Sequence, residues 1–434
     1  MGFCALLVLA AGLASAAAAE TSTFTAAGYV RAALESSPEV RQAAALFEAA
    51  RARWKSQTAA AWMPTVNFTG LAYPYGHDPS QSYRFEHWNL ARGDTSLNTS
   101  VNLNLFNSFA DYYKVRQASL SRDSAEQAHS TARQTRAFAA LQAFYDLGLK
   151  NRLLDVAVEN LKTQKDNYDL TRDLYQNGMK SLADLLKSET DWRSSELRLA
   201  QAEADRKRSL LQLNLLVGRP ADEPATLAAE LDPGTTALPS LAGDVDAALS
   251  LRPEMVSARL ALETNEVAVS QTVRDGAPQL SVDAAYNRTD NGRNIGTGGI
   301  PDPDYQLALR LALPSGFNGA SQWLSVSAAR ARAAASRQDL AATQRQVRSE
   351  VHSAYITLEA ALAAHRIAAV KEEIAQRNLE LVNEQYKQGS ADVIRLAQAQ
   401  LDHLQARVER AQALFGALLS RAQYHLAIGE PLWK

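Results

Sequence analysis

Cysteine is almost missing from this 434-residue chain: the single one, Cys4, lies within the first nineteen residues, MGFCALLVLAAGLASAAAA. That stretch is an apolar run closed by small residues suited to an Ala-x-Ala cleavage site before Glu20, so it reads as an export signal. It has no basic leader of its own, which predicts a start upstream of Met1. Cys4 sits too near the beginning to be a lipid attachment site after a normal signal. Once the signal is removed no cysteine remains, which excludes disulfides and thiol chemistry. Histidine is scarce as well. The seven, His77, His87, His129, His352, His365, His403 and His425, show no His-x-x-x-His pair or other ligand spacing. Neither a Gly-x-Ser-x-Gly elbow nor a phosphate loop occurs, so no catalytic, cofactor or metal site is expected, and each histidine reads as a surface residue. A net charge of −2 with both signs interspersed leaves no basic face for nucleic acid. Beyond the leader there is no run of eighteen apolar residues, hence no candidate transmembrane helix. An exported chain of this kind is either soluble or enters a membrane as a β-barrel.

What the chain does have is itself twice. Residues 175–220, from YQNGMKSLADLLKSETDW to VGRP, align without a gap on residues 386–431, from YKQGSADVIRLAQAQLDH to IGEP, at an offset of 211. Tyr175, Gly178, Asp191, Gly218 and Pro220 fall on Tyr386, Gly389, Asp402, Gly429 and Pro431. In each copy a long helical pattern reaches Tyr-x-x-Gly, the glycine allows the chain to reverse, and a second helix runs on to Gly-x-Pro. Each half therefore predicts a helical hairpin, with tips near residues 178 and 389. The halves span 20–220 and 243–434, joined by a link at 221–242 that is rich in proline and small residues.

Within each half the same order precedes the hairpin. Helix is expected from about 24 to 62 and from about 243 to 275, stopped by Met63-Pro64 and Ala277-Pro278. Two segments with a period of two follow each, at ~65–75 and ~95–106 in the first half and ~279–288 and ~304–313 in the second. Val66, Phe68, Gly70 and Ala72 alternate with Asn67 and Thr69, and Leu97, Val101, Leu103 and Leu105 with Asn98, Ser100, Asn102 and Asn104. Leu280, Val282, Ala284 and Tyr286 alternate with Ser281, Asp283, Ala285 and Asn287, and Tyr305, Leu307, Leu309 and Leu311 with Gln306, Ala308 and Arg310. Long helices at about 110–176 and 320–387 come next, each roughly 100 Å at ~1.5 Å per residue.

A soluble sheet with one buried face is the ordinary reading of such strands. Here no other sheet exists for their apolar faces, and each strand spans roughly 35 Å at ~3.3 Å per residue, enough to cross a bilayer at a tilt. Tyr73, Tyr75, Phe106, Phe109, Tyr112, Tyr113, Tyr286, Tyr305, Phe317 and Trp323 gather at the strand ends, as an interfacial girdle does. Asp283 and Arg310 then point into a water-filled lumen. Four strands cannot close around a channel, for which about eight are needed, so several copies must share one wall.

The duplicated order resembles the TolC-like outer membrane efflux protein family over essentially the whole mature chain. Pro38-Glu39 and Pro253-Glu254, Met63-Pro64 and Ala277-Pro278, the strand exits LFNSF and LPSGF, and the two Tyr-x-x-Gly hairpins carry the resemblance. It implies a mainly α chain with a membrane β-barrel, four strands from each subunit of a homotrimer forming twelve, and a long helical tunnel across the periplasm. It implies a passive outer membrane conduit in a tripartite efflux or type I secretion system, partnered by a periplasmic adaptor and an inner-membrane transporter. Gly178, Met179, Gly389 and Ser390 match the family's adaptor-contacting tips. Tyr175, Asp184, Tyr386, Asp392 and Arg395 are gate candidates. Arg395 and Gln398 stand where the family commonly has aspartates, and a ring of Arg395 side chains would repel cations that aspartates attract. Drug, metal, peptide and protein export are all compatible with a conduit whose transporter sets specificity. The rival is a periplasmic coiled-coil adaptor or structural protein, which leaves the duplicated strands unexplained.

Overall fold

The computed structural model describes residues 22–73, 94–228, 240–290, 304–313, 319–388 and 390–433. The leader with Cys4, the loops holding Tyr75, His77, His87 and Phe317, much of the link and Gly389 lie outside the described residues. Proline placement decides the first departure from expectation. Ser37 takes an extended ψ of 122°, because the ring of Pro38 clashes with a helical predecessor, and the helix expected over 24–62 is two helices. These are α1 (Ala26–Ser36) and α2 (Pro38–Trp62). Arg252 before Pro253 does the same at ψ 132°, dividing 243–275 into α5 (Leu241–Leu251) and α6 (Pro253–Arg274). The long helices are α3 (Ala110–Gln176) and α7 (Gly319–Lys387), and the hairpins return as α4 (Leu182–Val217) and α8 (Val393–Ile428). The link is not wholly irregular, since β4 (Ala225–Leu227) pairs in parallel with β1 (Ser22–Phe24).

The chain divides into two compact units. The first contains residues 1–40, 133–248 and 350–434. Its core sets Tyr29, Val30, Ala33 and Leu34 of α1 against Ala137, Ala140, Leu141 and Phe144 of α3 and Leu213 of α4. At the end of α4 the Leu216 carbonyl has no partner within the helix, and α1 and α3 supply donors there. The Tyr29 hydroxyl donates to Leu213 O at 2.8 Å, and Ser36 Oγ and Arg136 Nη2 donate to Leu216 O at 3.2 and 2.6 Å. Burial raises the Tyr29 phenol well above its ordinary value, which keeps it a neutral donor. Gly218, at φ 74°, then turns the chain out of α4. Between α3 and α8 the approach is close enough that a Cβ on Gly148 would fall 2.5 Å from Phe415 Cε1.

The second unit contains residues 41–132 and 249–349. It holds one antiparallel sheet in the order β2-β3-β5-β6, formed by β2 (Thr65–Tyr73), β3 (Asp94–Phe106), β5 (Gln279–Asp290) and β6 (Asp304–Ala312). The two pairs expected from the sequence are thus halves of a single sheet, joined along β3 and β5. Asn102 faces Asp283 and Leu103 faces Val282. A register shift between Asn104 and Phe106 sets Phe106 opposite Leu280, on the apolar side, where strict alternation would have turned it to the polar side. The helices of this unit are tied by Asn265 Nδ2 donating to Ser336 Oγ at 2.7 Å and by an Arg337–Glu266 ion pair at 2.9 Å. The Arg122 guanidinium lies 4.6 Å over the Trp54 ring.

Gly148→Ala forces the Phe415 ring out of its place and is expected to destabilise the helical unit by about 1–3 kcal/mol, the usual cost of overpacking. Adding Phe415→Leu makes room and should return most of the loss. Thermal unfolding followed by circular dichroism checks both, and an unaltered midpoint in Gly148→Ala would show that the contact is slack.

Candidate functional site: the sheet face and the hairpin tips

The sheet has two chemically distinct faces. On one, Asn98 donates to Asn287, Asn102 donates to Asp283, and Arg310 Nε lies 3.4 Å from Asp283 Oδ2. Asp283 and Arg310, each expected to face water, are therefore an ion pair, with Arg310 projecting well into solvent at 73% exposure. On the other face Phe68, Leu307, Leu309 and Leu311 lie open, at 75%, 79%, 69% and 74% exposure. No element among the described residues covers them. Tyr286 and Tyr305 sit directly opposite each other with ring centroids 5.3 Å apart. The terminal strands β2 and β6 each have one unpaired edge among the described residues.

The tips belong to the helical unit. At the first, the Gly178 N–H donates to Tyr175 O and the Met179 N–H to Leu174 O, both at 2.9 Å, with Gly178 at φ 75°. This closes α3 in a left-handed glycine cap. Ser181 and Asp184 form a reciprocal capping box on α4. At the second tip, Ser390 N donates to Gln385 O at 2.9 Å, and Asp392 caps α8 by accepting from Arg395 N at 2.8 Å. The halves are offset by 211, so Ser181 and Asp392 do the same work at equivalent positions, while the reciprocal arm made by Asp184 is missing at Arg395. Asp184 and Asp392 are thus occupied as helix caps, and Asp184 and Arg395 form no ion pair with each other among the described residues. Met179 is exposed at the tip, as are Leu182 and Ile394 nearby.

The duplicated tyrosines have parted company. Tyr175 is partly open, whereas Tyr386 is buried among Val382, Ala391, Leu396 and Ala399. The Tyr386 hydroxyl lies 3.3 Å from Thr171 Oγ1, and Lys180 Nζ lies 4.4 Å from the centre of its ring. Thr171 and Lys180 escaped the sequence reading. The signal that marks them is divergence between the halves, because the equivalents of Thr171 and Lys180 are Val382 and Ala391, which have no polar side chain to offer.

Further along, polar links cross between the hairpins. Gln164 Nε2 donates to Gln400 Oε1 at 3.1 Å and Arg407 pairs with Glu159 at 2.6 Å, while Lys371 pairs with Glu409 at 2.6 Å within the second hairpin. His403 lies in this seam, half-buried, and His129, His365 and His425 are also half-buried, so of the described histidines His352 alone is fully at the surface. Burial pushes the His403 imidazole below the ordinary histidine value of 6.5, and Arg407 adds to it while Glu372, Glu159 and Glu380 oppose it.

The family model for outer membrane efflux proteins matches residues 29–219 and 245–430, nearly all of both repeats. The chain belongs to that family. It is an outer membrane protein that extends into the periplasm. It is similar to Protein CyaE of Bordetella pertussis, 26% identical over 311 residues, a match covering 70% of this chain and 64% of that one, so it aligns with less than two thirds of the length of this curated relative. The fold is shared with several solved channels. The outer-membrane channel OprN superposes at a TM-score of 0.76 with 18% identity, over 94% of this chain and 90% of its own. CusC gives 0.80 at 15% identity over 93% and 92%, and the open-state MtrE channel of Neisseria gonorrhoeae gives 0.76 at 16% over 94% and 89%.

A histidine held neutral in the fold but free to charge in the unfolded chain binds fewer protons when folded. Stability is therefore complete above about pH 6.5 and falls as the pH drops through and below that value. Acidifying from about pH 7 to about pH 5 should lower the melting midpoint of the helices, and His403→Gln should flatten that slope. An identical slope in the variant would place the titration elsewhere.

Proposed function

We propose that this chain is the outer membrane conduit of a tripartite efflux or type I secretion assembly. The observation that carries the proposal is the four-stranded sheet, with one apolar face uncovered and an unpaired backbone edge on each side among the described residues. In hydrocarbon that arrangement is viable only when other copies complete the wall, and three copies supply twelve strands, above the roughly eight that closure needs. The apolar face then meets lipid, and the Asn98–Asn287 and Asp283–Arg310 contacts line water. The long paired helices form a tunnel in the periplasm. The alternative of a periplasmic adaptor is disfavoured by the same sheet, which it gives no role.

At the hairpin tips Gly178, Met179, Gly389 and Ser390 present backbone and small or flexible side chains to a periplasmic adaptor, itself coupled to an inner-membrane transporter that supplies energy. The gate lies beside them. Tyr386, seated under Lys180 and against Thr171, latches the second hairpin to the first. Tyr175, Asp184, Asp392 and Arg395 are at the same end, and their contribution is to hold the turns in shape or to set the local charge. A passive conduit needs no catalytic group.

Two measurements test this reading. Fractionation should recover the chain with the outer membrane, and its detergent-extracted mass should equal three chains; a monomer, or recovery from the soluble periplasm, ends the proposal. In planar bilayers Tyr386→Ala should raise single-channel conductance several-fold. Tyr386→Phe keeps the ring under Lys180 and loses one hydroxyl contact worth about 1 kcal/mol, so it should stay near the wild type. Equal conductance in wild type and Tyr386→Ala would make the tyrosine a packing residue and no latch.

A further inference from the structure

The turn between β3 and α3 holds two consecutive non-glycine residues in the left-handed region, Ser108 at φ 54° and Phe109 at φ 66°. Such backbone is strained and persists where surrounding contacts fix it. Here Ser108 Oγ donates to Pro278 O at 2.7 Å, which pins the turn to the residue just before β5. The result is a continuous path of contacts. Phe106 is on the apolar face of the sheet by virtue of the register shift, and its ring meets Phe109 edge-on at 6.1 Å. The Arg274 guanidinium, at the end of α6, lies 5.5 Å from the Phe109 ring and 5.2 Å from the Tyr113 ring. Phe109 and Tyr112 are largely exposed. Arg274 enters no ion pair among the described residues; the nearest acidic residue in sequence, Asp275, enters none either, and Asp111 is taken by Lys114 at 3.3 Å.

A cation placed where an apolar surface ends, kept extended by two aromatic faces and left without a carboxylate, matches the chemistry of a bilayer boundary. Acyl chains would lie on Leu103, Phe106 and Leu280, and the phosphate would meet the guanidinium, which binds phosphate through two parallel N–H donors. We infer that Arg274, Phe109 and Tyr113 form a binding site for the headgroup of an anionic phospholipid in the periplasmic leaflet, with the strained Ser108–Phe109 turn as its rigid floor. The inference rests on the membrane reading above, and it adds a lipid preference that the reading does not contain.

The full chain, purified in detergent, can be mixed with equal amounts of phosphatidylglycerol and phosphatidylcholine and examined by native mass spectrometry. The wild type should retain phosphatidylglycerol preferentially. Arg274→Gln should lower that retention about five-fold, the factor that one basic group near an anionic surface is worth. Arg274→Lys should restore the charge and only part of the retention, because an ammonium lacks the planar fork. Arg345→Gln, on the exposed side of α7, should leave it unchanged. Equal retention of the two lipids, an undiminished anionic adduct in Arg274→Gln, or displacement by millimolar inorganic phosphate would overturn the site. Those outcomes differ from failure of the membrane reading, in which the wild type is recovered outside the outer membrane before any lipid is added. Should Arg274→Gln fold poorly, Phe109→Leu removes one of the two rings and is expected to lower retention in the same direction; undiminished retention in that variant would equally overturn the site.

Discussion

Backbone amides at the edge of a sheet have to find partners, and inside hydrocarbon no water is present to supply them. Among the described residues the four strands leave one edge of β2 and one of β6 unpaired and expose leucines along one face. Neither feature could persist in a water-soluble monomer without inviting aggregation. A shared wall in a membrane resolves both at once. The rest of the sheet fits that demand: a polar face on which Asn98 bonds Asn287, Asn102 bonds Asp283 and Arg310 pairs with Asp283, and aromatic residues concentrated where the sheet gives way to helix.

The helical unit answers a different demand. Long helices with many alanines can approach closely, and Gly148 against Phe415 is the extreme case. What such helices lack is an inherent way to stop, and this is supplied by glycine in the left-handed region at Gly178, Gly218 and Gly429 and by side-chain caps at Ser181 and Asp392. The Leu216 carbonyl left over at the end of α4 is met by Ser36 and Arg136, and Tyr29 adds a bond to Leu213 O, so the short helix α1 is tied to the end of a helix some 180 residues away.

Duplication gave the chain two equivalent hairpins, and the differences between them mark where the halves have taken separate roles. Tyr175 and Tyr386 occupy the same place in the repeat, but one is open and the other is sealed under Lys180 and beside Thr171. The capping box has both arms in the first half and one in the second, leaving the Arg395 side chain exposed. The contacts of Tyr386 with Thr171 and Lys180 have no counterpart at the first tip, where the repeat places Val382 and Ala391 at the equivalent positions.

Comparing the chain with itself determined the duplication, and periodicity and spacing determined the four alternating strands, the long helices and the glycine turns, because each of these is a local pattern whose cause lies within a few residues. The breaks at Ser37 and Arg252 were local too, and the proline rule that produces them was open to use in the sequence. Tertiary structure alone decided that the two strand pairs merge through β3 and β5, and that a register shift puts Phe106 on the apolar face. It alone decided that residues 22–24 pair with 225–227, and that Lys180 and Thr171 meet Tyr386. These contacts join residues up to roughly two hundred positions apart, and no short-range pattern encodes which of several similar surfaces will meet; only packing the whole chain selects among them.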